Sequence, residues 1–396
     1  MLYLSKSKYC RAWQCPKMLW LDTYRPELHE PDAALEARMT AGNEVGDLAM
    51  GLFGDYVETT AHKEDGRLNI PAMLECTRDE MAKGTPVICE AAFSFEGLYC
   101  AVDILKKEAG GWAIYEVKSS TEPEKNVYLA DVAYQKYVLQ NCGVNVTGTY
   151  LVTLNNQYVF DGTLRLDELF TVTDISPFLP EEECKVQTVL KTAEATLESG
   201  TEPDTDIGNH CRSPYECEYW GWCTRALPTP NVFDLYRFRF DQALECYYAG
   251  DVSYEALLRH GRVSNKTQLR QIDFAMHDKG VYADGAAIRD FLDTLSFPLY
   301  FLDFETMMPA LPKYIGTHPY QQIPFQYSLH YIEREGGELK HREFLAESGP
   351  DPRRALAERL CEDIPMNVCV TAYNKAFECT RLKELAAEFP ISRSIC

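Results

Sequence analysis

Asp103, Glu116 and Lys118 are charges in places where a chain ordinarily keeps none. Asp103 lies between Val102 and Ile104 in the run LYCAVDILKK, and Glu116 and Lys118 lie in GWAIYEVKSS. Residues two apart on a strand share a face, so Glu116 and Lys118 point one way, Tyr115 and Val117 the other. A hairpin turning through residues 108–111 would bring Asp103 near Glu116. Two half-buried carboxylates repel unless a cation lies between them, and oxygen ligands of this kind suit Mg2+ or Mn2+. A lysine beside such an ion can position or activate water and stabilise charge on a phosphoryl group. The plain alternative is a salt bridge on an edge strand. Gln135 and Asp131 share one face of the following helix, and Glu44 lies in the first helix, in AGNEVGDLA.

A second constellation is made of thiols. Cys211, Cys217 and Cys223 recur with five residues between neighbours in DIGNHCRSPYECEYWGWCTR. A closed zinc site or a [4Fe–4S] cluster needs a fourth thiolate. The segment KYCRAWQCPKMLW offers Cys15, just ahead of a proline, with Cys10 as its rival. Zinc ligands usually pair roughly two to four residues apart, so this spacing is atypical for zinc. Buried thiols in an aromatic cluster are the other alternative. Lys6, Lys8, Arg11 and Lys17, interleaved with Trp13 and Trp20, suit a track for a single nucleic-acid strand, or equally a solvated amphipathic helix.

A third constellation is the pair Asp303 and Glu305 in YFLDFET, which period-2 alternation places on one face. That is the first element of a two-metal site. Asn374 and Glu378 come later, in AYNKAFECTRL. A turn capped by carboxylates is the alternative.

The elements that must hold these residues are legible in outline. Residues 32–54 have helical spacing, with Leu35, Met39, Val45, Leu48, Ala49 and Leu52 on the apolar side and Gly51 and Gly54 closing it. A helix over 71–83 precedes strands over 86–95, 98–107 and 111–120, then a helix over 127–141 and strands over 145–154 and 157–161. A helix over 176–200 leads into the thiol loop, and residues 231–295 read as helical. The last segment, over 297–312, predicts an apolar strand followed by a Pro-rich loop, then paired strands at 322–335 and 339–347, a helix at 351–364, and a strand followed by a helix over 367–389. The order helix, three antiparallel strands, helix, strand suggests an α/β unit with a mixed sheet.

Composition bounds the rest. The chain has 396 residues, 46% apolar and 25% charged, with a net charge of −21. That balance disfavours indiscriminate coating of nucleic acid, which rests on Lys and Arg, and leaves room for a local basic groove. The fifteen cysteines, with no leader-like start, point to a cytoplasmic protein in which most are small buried hydrophobes.

Taken together, residues 1–225 resemble a RecB-family nuclease of the PD-(D/E)XK superfamily, in the branch of CRISPR-associated exonucleases that carry an iron–sulfur cluster. The resemblance implies an α-β-β-β-α-β, restriction-endonuclease-like core: a mixed sheet flanked by helices. It puts the metal-site aspartate on Asp103, the E-x-K element on Glu116, Val117 and Lys118, and the helix glutamine on Gln135. It assigns Cys15, Cys211, Cys217 and Cys223 to a [4Fe–4S] cluster tying the N-terminal segment to the end of the domain. Two positions depart: many relatives have a histidine where Glu44 stands, and Leu139 replaces the tyrosine that often follows the glutamine by four.

Residues 226–296 are expected to be a helical connector. Residues 297–396 resemble DnaQ-like exonucleases of the ribonuclease H fold, which normally place an aspartate at Glu378. That fold needs further acidic or histidine ligands beyond Cys396, so the sequence is expected to be truncated there. The joint arrangement resembles a bacterial family that fuses these two domains, and implies a nuclease without naming its substrate. The expected function is a Mg2+- or Mn2+-dependent deoxyribonuclease acting on single strands or duplex ends. In it Asp103, Glu116 and Glu44 hold metal in the first domain, Asp303, Glu305 and Glu378 in the second. A non-catalytic nucleic-acid-binding or redox-sensing module keeping the same fold and cluster is the alternative.

Overall fold

A computed structural model describes residues 4–30, 33–122 and 126–389, with the backbone alone between 33 and 39. Leu35 and Met39, expected on the apolar side of the first long helix, therefore lie outside the described side chains. The chain divides into two units, residues 1–155 with 165–280, and residues 156–164 with 281–396.

The first unit opens with β1 (Leu4–Ser5), α1 (Lys6–Gln14), α2 (Pro16–Tyr24), α3 (Ala33–Ala49), β2 (Val57–Glu58) and α4 (Ile70–Lys83). Local chemistry sets several boundaries. The Ser5 hydroxyl accepts the Lys8 N–H and caps α1, while Pro16 opens α2, where its missing N–H costs nothing. Gly84, at φ 79°, ends α4 in the left-handed conformation that glycine adopts without a Cβ penalty.

Then come β3 (Val87–Phe95), β4 (Leu98–Glu108), β5 (Gly111–Lys118), α5 (Asn126–Asn141), β6 (Val146–Leu154), α6 (Leu166–Leu169), β7 (Phe170–Asp174) and α7 (Leu179–Ser199). The sheet order is β2-β3-β4-β5-β6-β7, with β1 against β4. Strands β3, β4 and β5 are antiparallel neighbours, β6 runs parallel to β5, and β7 antiparallel to β6. The mixed α/β architecture agrees with expectation. The strand expected at 157–161 does not form. Phe160 instead exchanges backbone hydrogen bonds with Gly316 and Thr317 of the second unit's own chain segment, and β7 supplies the sheet edge.

Two irregularities interrupt the pairing of β4 with its neighbours. Pairing of β4 with β5 ends at Ile104↔Tyr115, and beyond it β1 pairs with β4 at Leu98 and Tyr99. The strands are held apart there by Asp103, whose Oδ2 accepts the Val117 N–H at 2.7 Å in place of a backbone carbonyl. Strand parity also reverses. Ile88 and Ala91, three apart, both enter the core on the α5 side, and so do Val102 and Leu105. The reversal falls at Glu90, whose φ is +54°, and at Asp103. Both are bracketed by the pairs Cys89↔Ile104 and Ala91↔Val102. A non-glycine residue in the left-handed region costs energy and persists only where the surroundings impose it.

The unit ends with α8 (Trp220–Thr224), α9 (Phe240–Tyr248), α10 (Tyr254–Arg259) and α11 (Lys266–Met276). The expected connector is thus split: up to Gly280 it belongs to the first unit. It has a small core of its own, including Val232, Leu257 and Ile272, and it packs on the thiol loop, where Trp220 meets Phe233 edge-on at 5.1 Å.

The second unit comprises α12 (Gly285–Leu292), β8 (Leu299–Met307), β9 (Ile323–Ile332), β10 (Lys340–Leu345), α13 (Arg353–Asp363), β11 (Cys369–Thr371) and α14 (Lys375–Glu388). Its sheet order is β10-β9-β8-β11, antiparallel except that β11 runs parallel to β8. Leu302, Phe304, Tyr327 and Leu329 form one face with Leu356, Leu360 and Leu385 of the two helices packed on it. Among the described residues no helix is long and apolar enough to cross a membrane.

Candidate functional site

Strand β5 presents Trp112, Ile114, Glu116 and Lys118 on the side facing α5, and α5 is buried over most of its circumference. The two charges that alternation places together meet two polar residues one helical turn apart, Asp131 and Gln135. Lys118 Nζ lies 2.6 Å from both Glu116 Oε1 and Asp131 Oδ2. Gln135 Nε2 donates to Glu116 Oε2 at 2.7 Å and to Asp131 Oδ1 at 3.0 Å. Its Oε1 is buried without a hydrogen-bond partner. Glu116 is 1% exposed, so this network is what permits its charge inside the protein.

Glu116, Lys118 and Asp103 line a cavity of about 330 Å3 with Glu90, Gly42, Asn43, Gly46, Asp47 and Met50 among others. The geometry corrects one expectation. Glu44 is exposed and is not among the lining residues, because the face of α3 turned to the cavity carries Asn43, Gly46, Asp47 and Met50, at helical spacing. On α3, Asp47 rather than Glu44 lines the cavity. Sequence reasoning misses Glu90, although the signal that singles out Asp103, a charge inside an apolar strand, is present in PVICEAAFSF.

Lys6, expected in a basic track, belongs here as well. Its Nζ lies 2.8 Å from Glu116 Oε1, 3.6 Å from Asp131 Oδ1 and 3.9 Å from Asp103 Oδ1. The rest of that track is not a free surface. Arg11 is paired with Glu218 and Asp22, and Lys17 lies near Glu202. Of the four, Lys8 is left exposed.

Charge is distributed unevenly over the carboxylates. Burial would push the Glu116 carboxyl up, but Lys118 and Lys6 beside it hold it well below the usual carboxylate range. Asp103 is pushed up to about 7, by burial first and then by the Glu116 charge. Burial raises Glu90 and Asp131 as well, Asp131 further through Glu116. Asp131, Glu116 and Asp103 raise Lys6 and Lys118 against the opposing effect of burial. The donor set is thus hard oxygen, and Asp103 and Glu116 with Glu90 and Asp47 fit Mg2+ or Mn2+ by chemistry. As it stands, no group of three or more His, Cys, Asp or Glu side chains among the described residues is arranged to hold a metal ion. In the described arrangement Lys6 and Lys118 contact these carboxylates directly.

Cys15, Cys211, Cys217 and Cys223 line one small cavity with Met18, Leu21, Ile207 and Tyr219. Cys15 stands at the junction of α1 and α2, where the Lys17 and Met18 N–H groups oppose the upward push of burial on its thiol. Burial pushes Cys217 up to about 12. All described cysteines are free thiols. Cys10 lies elsewhere, in the α1–α5 core, where burial and then Asp131 raise its thiol, so geometry favours Cys15. Four unpaired thiols in one apolar cavity fit a cluster or a tetrahedral metal by donor chemistry. Leu139 is a fully buried core residue.

In the second unit Asp303 and Glu305 share the exposed face of β8, opposite Ser328 and Gln326. Glu378 is buried near the start of α14 with Oε2 unpartnered. Phe377, Leu382 and Leu385 of that helix pack with Leu302 and Phe304, on the face opposite Asp303 and Glu305. Asp303 and Glu305 are brought together on one face of β8, and Glu378 is buried on α14.

A family model described as a domain of unknown function, DUF2779, matches residues 300–395, which lie within the second unit. No curated protein matches the chain.

Proposed function

We propose that the first unit is a metal-dependent phosphodiesterase acting on DNA, an exonuclease of single strands or duplex ends. The observation that carries this reading is the convergence of Asp103, Glu116 and Lys118, from two strands, on one carboxylate-lined cavity, with Gln135 of α5 bonded to Glu116 behind it. Asp103 and Glu116 would hold Mg2+ or Mn2+, with Asp47 and Glu90, the other carboxylates lining the cavity, to complete the set. The ion would supply Lewis-acid activation of the phosphoryl group and of water. Lys118, charged throughout the working pH range, stabilises negative charge developing on the phosphoryl oxygens. Gln135 holds Glu116 by its amide N–H and offers an unpartnered carbonyl. Asp131 fixes the Lys118 ammonium and so sets its reach.

The four thiols would hold a [4Fe–4S] cluster with a structural role, since they join α1 and α2 to a loop some two hundred residues later. The second unit is read as a DnaQ-like domain. Its strand order and the shared face of Asp303 and Glu305 support that reading.

The test is cleavage of end-labelled single- and double-stranded DNA with Mn2+, comparing wild type, Glu116→Ala and Asp303→Ala. Glu116→Ala is expected to lose about a hundredfold or more in rate, at or above the upper end of what loss of a mere outer-shell partner of a metal costs. Activity untouched by Glu116→Ala would remove this site from the mechanism. Loss confined to Asp303→Ala would move the chemistry to the second unit.

A further inference from the structure

Lys6 is the first residue of α1, and its placement is built rather than incidental. Leu4 is pinned from both sides: its N–H donates to the Gly97 carbonyl at 2.9 Å, and its carbonyl accepts the Tyr134 hydroxyl at 2.8 Å. Tyr134 also stacks on Tyr9 of α1, with ring centroids 4.6 Å apart. The short pairing of β1 with β4 occupies the gap left where β5 parts from β4. The chain start is thereby anchored next to Asp103, and the Lys6 side chain runs into the carboxylates. Lys118 and Lys6 share one oxygen, Glu116 Oε1. Lys6 also lies within 3.9 Å of Asp103, so it spans the two carboxylates that the metal reading assigns to the ion. An ammonium on a flexible four-carbon stem can leave such a position without moving the helix that carries it.

Resting on the metal reading of this site, we infer that Lys6 is a tethered counter-cation that occupies the space between Asp103 and Glu116 and competes with the divalent ion for it. Loading the site then requires the Lys6 side chain to turn outward. In the interval Glu116 remains held by Lys118 and Gln135, and Asp103 by the Val117 N–H. Lys6 acts here as a positioning residue, and it makes metal affinity weaker than the carboxylates alone would set it.

The test is direct Mn2+ binding, followed by the loss of the free-ion electron paramagnetic resonance signal on titration. It compares wild type, Lys6→Met, Lys6→Arg, Lys8→Met and Glu116→Gln, each checked for a cooperative thermal transition. Lys6→Met is expected to bind Mn2+ about tenfold more tightly than wild type, the order of one lost competing ion pair. Lys6→Arg and Lys8→Met are expected to stay within about twofold of wild type. Unchanged or weaker binding in Lys6→Met overturns the inference. An equal gain in Lys8→Met also overturns it, since net charge alone would then explain the effect. If neither wild type nor Lys6→Met shows binding that Glu116→Gln removes, the metal reading itself fails.

Discussion

Asp103 performs two tasks that pull against each other. Its Oδ2 takes the Val117 N–H and keeps β4 and β5 apart, while burial and the Glu116 charge make its own ionisation unfavourable. Its carboxyl is raised to about 7 in the folded protein, against about 3.9 in an unfolded chain. Between these values the folded state binds the proton more tightly, so this group's contribution to stability is greatest below about pH 4 and is lost as pH rises through about 7. In metal-free protein, Asp103→Asn keeps an acceptor for Val117 and removes the charge. Its melting temperature should exceed that of wild type at about pH 8, and the difference should vanish near pH 4. A variant less stable than wild type at the higher pH would show that Lys6 and Lys118 already compensate the Asp103 charge.

At the scale of elements, the site is made where regular structure gives way. Strand β5 is regular along Gly111–Tyr115 and diverges from β4 just where Glu116 begins. Its start is fixed by close approach: a Cβ on Gly111 would lie 2.2 Å from the Asn145 carbonyl oxygen. That oxygen accepts the Trp112 N–H at 2.9 Å. Gly111→Ala should therefore push β6 away from β5 and cost roughly 1–3 kcal/mol, the range for overpacking, read as a lower thermal midpoint. Unchanged stability would mean that the Asn145 turn yields freely. Helix α1 links two centres: Lys6 at its start reaches the carboxylates, and Cys15 comes directly after its last residue, about 14 Å along the axis by helical rise.

For the molecule as a whole, the thiol cavity ties distant parts of the first unit, joining Cys15 to Cys211, Cys217 and Cys223. Ligands that meet only on folding turn metal affinity into folding free energy. Protein purified without oxygen is expected to be brown, with broad visible absorption. Cys217→Ser should lower its iron content and its thermal midpoint, whereas Cys10→Ser, in the α1–α5 core, should retain the iron. Colourless protein holding stoichiometric zinc would replace the iron–sulfur assignment with a zinc one. On the proposed reading the net charge of −21 does not preclude DNA, because Lys6 and Lys118 lie inside the site rather than spread over a surface.

What the sequence determined by itself is what short periods can carry. Charges at i and i+2 in an apolar strand put Glu116 beside Lys118 and Asp303 beside Glu305, and helical spacing put Asp131 with Gln135. Most element boundaries came from the same periods and from glycine, proline and capping residues. Tertiary structure decided the partners that come from far along the chain: Lys6 over a separation of 110 residues from Glu116, Asp47 in place of Glu44, and Cys15 in place of Cys10. It also decided Glu90 and Asp103, where strand parity reverses. Alternation is a local rule and holds only while φ stays extended. The left-handed turn at Glu90 breaks it, and only the packing of β3 on β4 shows on which side of the break each charge falls.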